Sequence, residues 1–126
     1  MDKCVLCNPE GTKLKFVREN ELAKVYYDGF PVTEYHSLIV PKRHVSDYFD
    51  LTKEELDAIQ ELLLEQRNYL LGIDPTIEGF NIGNNIGQVA GQTVWHVHTH
   101  LIPRRKGDMV DPKGGVRGVI PEKQKY

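Results

Sequence analysis

The chain has 126 residues, with 16 lysines and arginines against 18 aspartates and glutamates, and a formal net charge of −2. This length predicts a single domain spanning 1–126, large enough to bury about two thirds of its unfolded surface without disulfide support. A charge so close to zero argues against a protein whose main task is to coat nucleic acid, so no specific nucleic-acid partner is expected. The 40% apolar and 27% charged residues argue against a disordered chain.

The sequence offers no candidate for a membrane span. Its purely aliphatic runs are no longer than three residues, as at 62–64, whereas a span needs about 18 apolar residues in a row. The start, Met1 to Cys4, lacks the apolar stretch of a secretory signal. We therefore expect a cytoplasmic protein, where the pair Cys4 and Cys7 more often binds metal or serves in catalysis than forms a disulfide.

The first two predicted strands occupy residues 25–27 and 37–40, which end at the turn Asp28-Gly29 and at Pro41. A long helix follows. Thr52 and Glu55 have the spacing of a capping box, and Leu51 and Leu56 that of a hydrophobic staple. The apolar positions recur at helical spacing until Gly72, which is expected to end the helix before Pro75. These positions are Leu56, Ile59, Leu62, Leu63 and Leu70.

Two further strands are predicted at 80–82 and 94–102, the second alternating and stopping at Pro103. The remaining segment, 107–126, is rich in glycine and proline and is expected to form an extended arm with at most one short strand, at 116–120. Strands before and after one central helix favour an α+β domain in which an antiparallel sheet carries the helix on one face.

All five histidines lie outside the helix and the arm: His36, His44, His96, His98 and His100. In a strand, His96, His98 and His100 would share one face, opposite Trp95, Val97, Thr99 and Leu101. The outer two would then be roughly 13 Å apart, so all three cannot bind one metal ion. The alternative, partly buried histidines satisfied by backbone carbonyls, is less favoured for three imidazoles on one face.

The segment His96-Val97-His98-Thr99-His100-Leu101-Ile102 resembles the signature of the histidine triad (HIT) family. Asn85 and 91–94 resemble the approach to that signature, and 31–44 resembles an earlier strand of the family. The resemblance runs from about Tyr26 to Lys106. It implies a HIT-like fold and an enzyme that attacks the α-phosphate of a nucleotide and forms a covalent nucleotidyl-histidine.

His98 is the expected nucleophile, because it lies between two other imidazoles and a neutral ring held at one nitrogen can attack with the other. His100 is the expected general acid or charge partner, a role that the resemblance also assigns.

The remaining nucleotide-binding candidates surround these two histidines. Asn85, Gly91, Gln92 and Thr93 offer uncharged donors for phosphate oxygens, although 91–93 alone would suit an ordinary turn. By resemblance, Asp28 holds the ribose hydroxyls. Asp-Gly is also a common turn pair. Tyr26 either lines a base pocket or belongs to the core, and His36 either orients the triad or is structural.

Cys4 and Cys7 have the two-residue spacing of a zinc knuckle but supply only two ligands. Zinc-bearing HIT relatives complete such a set with two histidines, which implies His44 and His96 here and a structural zinc ion with all four positions filled. Residues 1–10 would then form a knuckle at the start of the domain. A redox pair or incidental cysteines are the alternative.

Three function classes remain open. The first is a HIT-type nucleotide hydrolase or nucleotidyl transferase acting on phosphoramidates, dinucleoside polyphosphates or similar conjugates. The others are a nucleotide-binding regulatory module with little turnover and a metal-dependent hydrolase with a catalytic ion on His98 and His100. The resemblance also implies a homodimer, which an exposed edge strand makes physically reasonable.

Overall fold

A computed structural model describes residues 3–126, so Met1 and Asp2, on which part of the secretory-signal argument falls, lie outside the described residues. Five antiparallel strands form one sheet in the order β1-β2-β3-β5-β4, and helix α1 (Lys53–Ile73) packs against β2 and β3. The predicted α+β class is therefore confirmed. The strands are β1 (Lys15–Glu19), β2 (Ala23–Tyr27), β3 (Ser37–Pro41), β4 (Ile77–Gly83) and β5 (Thr99–Arg105).

Helix α1 begins with the predicted capping box. The Glu55 N–H donates to the Thr52 hydroxyl at 3.1 Å, and the Thr52 N–H donates to the Glu55 carboxylate at 2.9 Å. The helix continues through Gly72, contrary to the prediction, and ends at Ile73. Gly72 keeps a helical backbone because the chain turns only at Asp74, whose N–H donates to the Leu70 carbonyl just before Pro75. Within residues 3–126, no helix combines the length and apolar character needed to cross a bilayer.

The buried face of α1 differs from the predicted face at its first turn. Leu56 is 37% exposed, and Glu55 takes the inward position. Both carboxylate oxygens of Glu55 accept from the Arg43 guanidinium, at 2.8 and 3.0 Å, which lowers the pKa of Glu55 and compensates for burying the charge. Further along, Ile59, Leu62 and Leu70 are buried as predicted.

Strand β5 runs later in the chain than predicted. It begins at Thr99, so His96 and His98 precede it, and it continues through Pro103 to Arg105. The pairing of β3 with β5 ends at Ser37 and Leu101. Pro103 lies beyond this last pair, so its missing N–H removes no hydrogen bond between these two strands.

Before β5, the chain is held by the Val97 N–H, which donates to the Val45 carbonyl. Val97, Thr99 and Leu101 are buried as expected, but Trp95 is 48% exposed. The alternation fails at Trp95 because residues 94–98 form bends and loop rather than strand.

Two other segments depart from the predictions. Strand β1 was not predicted, since its polar sequence lacks a clear alternation. It pairs with β2 across a turn at Asn20, whose side chain accepts from the Leu22 and Ala23 amides. The strand expected at 116–120 does not form. Gly114 and Gly115 have positive φ angles and start a 3-10 turn, Gly115–Val119, so the arm curls instead of extending.

Candidate functional site

Four side chains from three separate parts of the chain converge beneath the loop that precedes β5. The His44 Nδ1 lies 3.3 Å from the His96 Nδ1 and 3.3 Å from the Cys7 Sγ. The His96 Nδ1 is also 3.5 Å from both the Cys4 Sγ and the Cys7 Sγ. The structure therefore brings together all four residues that the sequence singled out as metal ligands, and they form a possible metal site.

These separations fit a tetrahedral ion. With Zn–N bonds of about 2.05 Å and Zn–S bonds of about 2.3 Å, two nitrogens are roughly 3.3 Å apart and a nitrogen and a sulfur roughly 3.6 Å apart. Hydrogen bonding alone explains the cluster poorly, because the one Nδ1 of His96 faces three neighbours at almost equal distance. The donor set of two thiols and two imidazoles is that of a closed structural zinc site.

The other ring nitrogen of His96 fixes its tautomer. Its Nε2 lies 2.8 Å from the carbonyl oxygen of Pro41, which can only accept, so Nε2 carries the hydrogen. The Nδ1 lone pair is then free to face the two sulfurs. Burial lowers the pKa of His96 and favours the neutral ring that a metal ligand requires.

His98 has the opposite tautomer. Its Nδ1 lies 2.8 Å from the carbonyl oxygen of His96, so Nδ1 carries the hydrogen and donates to that carbonyl. A neutral His98 ring therefore has its lone pair on Nε2. The peptide oxygen of His96, whose ring belongs to the cluster with Cys4, Cys7 and His44, thus fixes the tautomer of His98.

His36 and His100 form a chain of hydrogen bonds. The Val32 N–H donates to His36 Nδ1 at 3.0 Å, so a neutral His36 carries its hydrogen on Nε2. That Nε2–H donates to His100 Nδ1 at 2.9 Å, which leaves the hydrogen of His100 on its own Nε2. His98 and His100, whose ring centroids are 5.3 Å apart, therefore present a lone pair and an N–H, respectively, at Nε2.

Burial keeps the rings of His36 and His100 neutral. It lowers the pKa of His100 to about 4, helped by the neighbouring His98 and His36. It also lowers the pKa of His36, although the charge of Asp28 acts in the opposite direction. The 3.6 Å contact of His36 Nε2 with the Asp28 carboxylate is therefore not an ion pair at neutral pH.

Asp28, His36 and His100 also lie close enough to be considered as metal ligands. The hydrogen bonds argue against it, because the Nε2 of a neutral His36 bears a hydrogen and has no lone pair to give. The chain from the Val32 N–H through His36 to His100 is therefore better described as a hydrogen-bonded relay than as a site for a catalytic ion.

A cavity of about 570 Å³ opens beside the relay, and we refer to it as the first cavity. Asp28, Thr93, His98 and His100 line it, and the Phe30 N–H donates to the Asp28 carboxylate at 2.8 Å. The polar groups lie against an apolar wall that comes mainly from the N-terminal segment and the sheet. Its members include Val5, Leu6, Leu14, Phe30, Leu38 and Val94.

A second cavity, of about 520 Å³, lies on the other side of His100. Asn85 and His36 line this second cavity together with His100. Of the residues that line the two cavities, His100 is the one they share. The Gly-rich arm forms much of the remaining wall, through residues such as Met109, Val116 and Val119.

Three of the expected nucleotide-binding residues line neither cavity. Gln92 is buried, its amide nitrogen donates to the Ser46 and Val94 carbonyls, and its oxygen accepts from Gly87, so its side chain holds the loop and is not available to phosphate. The Gly91 N–H donates to the Gln88 carbonyl.

Tyr26 is 2% exposed and packs with Leu6 and Leu38 in the core behind the wall. Of its two possible roles, the structure favours the core.

Most of the apolar wall of the first cavity was not predicted from the sequence. Val5 and Leu6 lie between the two cysteines, and Leu14 precedes β1, so they reach the cavity only because the N-terminal segment folds across the sheet. Gly29 shows how closely that segment packs, since a Cβ there would lie 2.7 Å from the Lys13 Cβ. In the sequence, the pair Asp28-Gly29 was the one local indication that another segment packs closely here.

Comparisons with known proteins show what this chain is similar to. A family model described as the HIT domain matches residues 10–107. Among characterised relatives, an adenosine 5′-monophosphoramidase of Candida albicans is 32% identical over 108 residues, which cover 81% of this chain and 70% of that protein.

Solved structures share the fold. A HIT family protein from Bacillus anthracis superposes with a TM-score of 0.76 at 36% identity, covering 85% of this chain and 77% of that one. A Zn-bound histidine triad family protein from Mycobacterium smegmatis gives a TM-score of 0.77 at 29% identity, covering 87% and 81%.

The burial of His100 predicts an unusual titration. Its ring should stay neutral as the pH is lowered from 8 to 5 and take up a proton only near pH 4. An unfolded chain titrates its histidines near pH 6.5, so in the window between about 6.5 and 4 the unfolded state binds the extra proton. The contribution of His100 to the free energy of unfolding is therefore complete above that window and falls as the pH decreases through it.

The measurement is a pH titration of the imidazole carbon-bound protons by NMR, with His100 assigned by comparison with His100→Gln. In parallel, the free energy of unfolding in urea is measured at pH 7 and pH 5 for both proteins. It should fall less between these pH values in His100→Gln than in the wild type. A midpoint for His100 near or above 6.5 would contradict the proposed relay.

Proposed function

The chain belongs to the HIT family, and from that premise we propose that it is an enzyme that cleaves nucleotide conjugates at the α-phosphate through a covalent bond to His98. The observation that carries the proposal is the tautomer of His98, whose Nδ1–H is held by the His96 carbonyl while the ring lines the first cavity. A neutral imidazole with one nitrogen held and the other bearing a lone pair is an activated nucleophile.

The first cavity suits the nucleoside half of such a substrate. Its aliphatic and aromatic wall offers a flat base an apolar surface, and Asp28 offers ribose hydroxyls a carboxylate acceptor. Asp28 is 17% exposed in its side chain and already accepts from a backbone N–H, so it is fixed in place before a ligand arrives. The α-phosphate would then lie beside Thr93 and His98.

In the first half-reaction, the Nε2 lone pair of His98 attacks phosphorus and a P–Nε2 bond forms. The bond from phosphorus to the leaving group breaks, and the leaving group keeps the electron pair and takes a proton from solvent. The Nε2–H of His100 donates a hydrogen bond to the leaving atom and stays on the ring, because a neutral imidazole is too weak an acid to release it. His36 holds the ring through its 2.9 Å hydrogen bond and keeps the Nε2 position of His100 toward the leaving atom.

In the second half-reaction, water attacks phosphorus, and the pair of the P–Nε2 bond returns to His98. The proton that water loses passes to solvent, so the proton taken up in the first half-reaction is given back. Thr93 from one cavity and Asn85 from the other offer uncharged donors to the phosphoryl oxygens.

We further propose that Cys4, Cys7, His44 and His96 hold a structural Zn²⁺. When bound, the ion would supply a cross-link between the N-terminal segment and the loop before β5, with four protein ligands and no open position for catalysis. Val5 and Leu6 lie between the two cysteines and line the first cavity, so this cross-link would fix the wall of the nucleoside site. Two free thiols used as ligands suit a reducing compartment, which supports a cytoplasmic protein.

The homodimer remains a proposal. Two features support it: β4 ends the sheet with an open edge, and α1 exposes apolar side chains on its outer face. Among them are Leu64 at 54% exposure, Tyr69 at 45% and Ile73 at 44%.

The covalent step predicts a label that can be trapped. When the protein is quenched in alkali during turnover of a nucleotide conjugate radiolabelled at its α-phosphate, the label should remain on the chain and be released by mild acid, as a phosphorus–nitrogen bond requires. His98→Gly should carry no label. Equilibrium dialysis with the nucleoside monophosphate controls for folding, because the variant keeps Asp28 and the apolar wall.

A regulatory module would give a different result. Nucleotide would bind to the wild-type protein without any covalent label, and His98→Gly would behave like the wild type. That outcome would contradict the proposed enzyme.

The metal site predicts one zinc ion per chain in protein purified without chelator. Cys7→Ser should reduce the zinc content and the melting temperature, and it should also weaken binding of the nucleoside monophosphate, because Leu6 would no longer be held against the cavity. Ser46→Ala is a control on the neighbouring loop, since its hydroxyl donates only to the Trp95 carbonyl. Unchanged stability and nucleotide affinity after complete loss of zinc would contradict the structural role.

A further inference from the structure

One loop, residues 84–98 between β4 and β5, carries most of the proposed site. Asn85 and Thr93, the uncharged donors proposed for the phosphoryl oxygens, lie on this loop together with His96 and His98. The distances between these groups therefore depend on how the loop is held to the rest of the protein.

The later half of the loop is held by the segment that precedes α1. The Gln92 side-chain amide donates to the Ser46 carbonyl at 2.8 Å, and the Val97 N–H donates to the Val45 carbonyl at 2.8 Å. Both contacts lie close to the histidines. They leave open what fixes the first residues of the loop, among which is Asn85.

A side-chain hydrogen bond joins the two ends of the loop. The pairing of β4 with β5 ends at Gly83 and His100. One position further on, the Asn84 side-chain amide donates to the Thr99 hydroxyl at 2.9 Å, and that hydroxyl lies 3.3 Å from the amide oxygen. The contact, which we call the clasp, thus links the first residue of the loop to the residue that follows its last one.

The threonine in the clasp is not explained by packing. Thr99 is 3% exposed and alternates along the chain with Val97 and Leu101, which belong to the hydrophobic core. A buried hydroxyl costs free energy unless it is hydrogen-bonded, and valine has nearly the same shape without that requirement. The hydroxyl is therefore better explained by the partner that it holds, Asn84.

We propose that the clasp positions Asn85 for the reaction, and that Thr99 is a positioning residue of the proposed enzyme. The inference rests on the proposed function. Because Asn85 directly follows Asn84 in the chain, fixing Asn84 limits where the amide of Asn85 can lie. Asn85 is exposed and lines the second cavity together with His100, so its amide is available to a ligand.

The position of Asn85 is also restricted from within the loop. A Cβ added at Gly91 would lie 3.7 Å from the Asn85 Nδ2, so the amide packs over the backbone there. On its other side, Asn85 is tied through the clasp to Thr99, which lies between His98 and His100. A displacement of about 1 Å in such an arrangement can lower a rate by about a hundredfold.

The clasp should act on the reaction step more than on substrate binding. Negative charge develops on the phosphoryl oxygens as phosphorus is attacked, and an amide already directed at them stabilises that charge without reorganisation. The nucleoside would be bound by Asp28 and the apolar wall of the first cavity, which the clasp does not touch. Loss of the clasp should therefore lower kcat more than it raises KM.

The test compares Thr99→Val, which removes the hydroxyl and keeps the shape, with Thr99→Ser, which keeps the hydroxyl. With adenosine 5′-phosphoramidate as the substrate, Thr99→Val should lower kcat about tenfold and change KM by less than about threefold. Thr99→Ser should bring kcat back to within about threefold of the wild-type value.

A double-mutant cycle tests whether the two side chains act as a unit. Asn84→Ala should lower kcat by a factor similar to that of Thr99→Val, and the double variant should be no slower than the slower single variant. Multiplying effects would show two independent roles and would contradict the clasp.

Ile39→Val is the matched control for packing. Ile39 is fully buried and pairs with Thr99 across β3 and β5, so this variant loosens the same part of the core without touching the clasp. It should lower the melting temperature and leave kcat unchanged. Thr99→Val should do the reverse, because the half-buried Asn84 can hydrogen-bond to water instead.

A second readout needs no turnover. The side-chain amide of Asn85, assigned in a ¹H–¹⁵N correlation spectrum by comparison with Asn85→Asp, should shift when adenosine monophosphate is added to the wild type or to Thr99→Ser. In Thr99→Val the shift should be much smaller, although the nucleotide still binds.

The outcomes separate this inference from the proposed function. A wild type that shows the Asn85 shift but cleaves nothing would overturn the proposed function and still support the positioning of Asn85. Equal kcat values in the wild type and Thr99→Val would overturn the positioning role of Thr99. Equal Asn85 shifts in these two proteins would overturn it as well.

Discussion

The proposed catalytic site depends on one hydrogen bond, from the Nδ1–H of His98 to the carbonyl oxygen of His96. It determines that the lone pair of His98 lies on Nε2, and it joins the reactive ring to a residue whose own side chain belongs to the Cys2His2 cluster. Because His96 would supply a metal ligand through its ring and supplies an acceptor through its peptide group, the proposed zinc site and the proposed nucleophile cannot move independently. Burial lowers the pKa of His96 and of His100, which favours the neutral form of both rings.

Two backbone groups set the tautomers of the site, and neither is visible as a motif. The Val32 N–H fixes His36 and, through it, His100, while the His96 carbonyl fixes His98. Each of the three rings therefore has one defined hydrogen position. In the proposed reaction, such preorganisation would lower the reorganisation needed when charge develops on phosphorus or on the leaving group.

Much of this could be predicted from sequence where the signal is local. The capping box at Thr52 and the antiparallel α+β class follow from spacing and residue type, whereas the grouping of Cys4 and Cys7 with two histidines came from the resemblance to zinc-bearing HIT proteins. The start of β5 could not, because His96 and His98 leave the strand pattern only through long-range contacts, such as the bond from Val97 to the Val45 carbonyl. The cavity wall was missed for the same reason, since Leu6 and Leu14 are distant in sequence from the histidines. The curl of the arm needed the positive φ angles of Gly114 and Gly115, which a glycine permits but does not require.

The most direct test of the central claim is the tautomer of His98 itself. Long-range ¹H–¹⁵N correlation NMR of the protein at pH 7, labelled with ¹⁵N in histidine, distinguishes a protonated ring nitrogen from one with a lone pair. The hydrogen bonds of the three rings predict a protonated Nδ1 and an unprotonated Nε2 for His98, with the reverse for His36 and His100. A hydrogen on the Nε2 of His98 would remove the lone pair from the cavity and contradict the account.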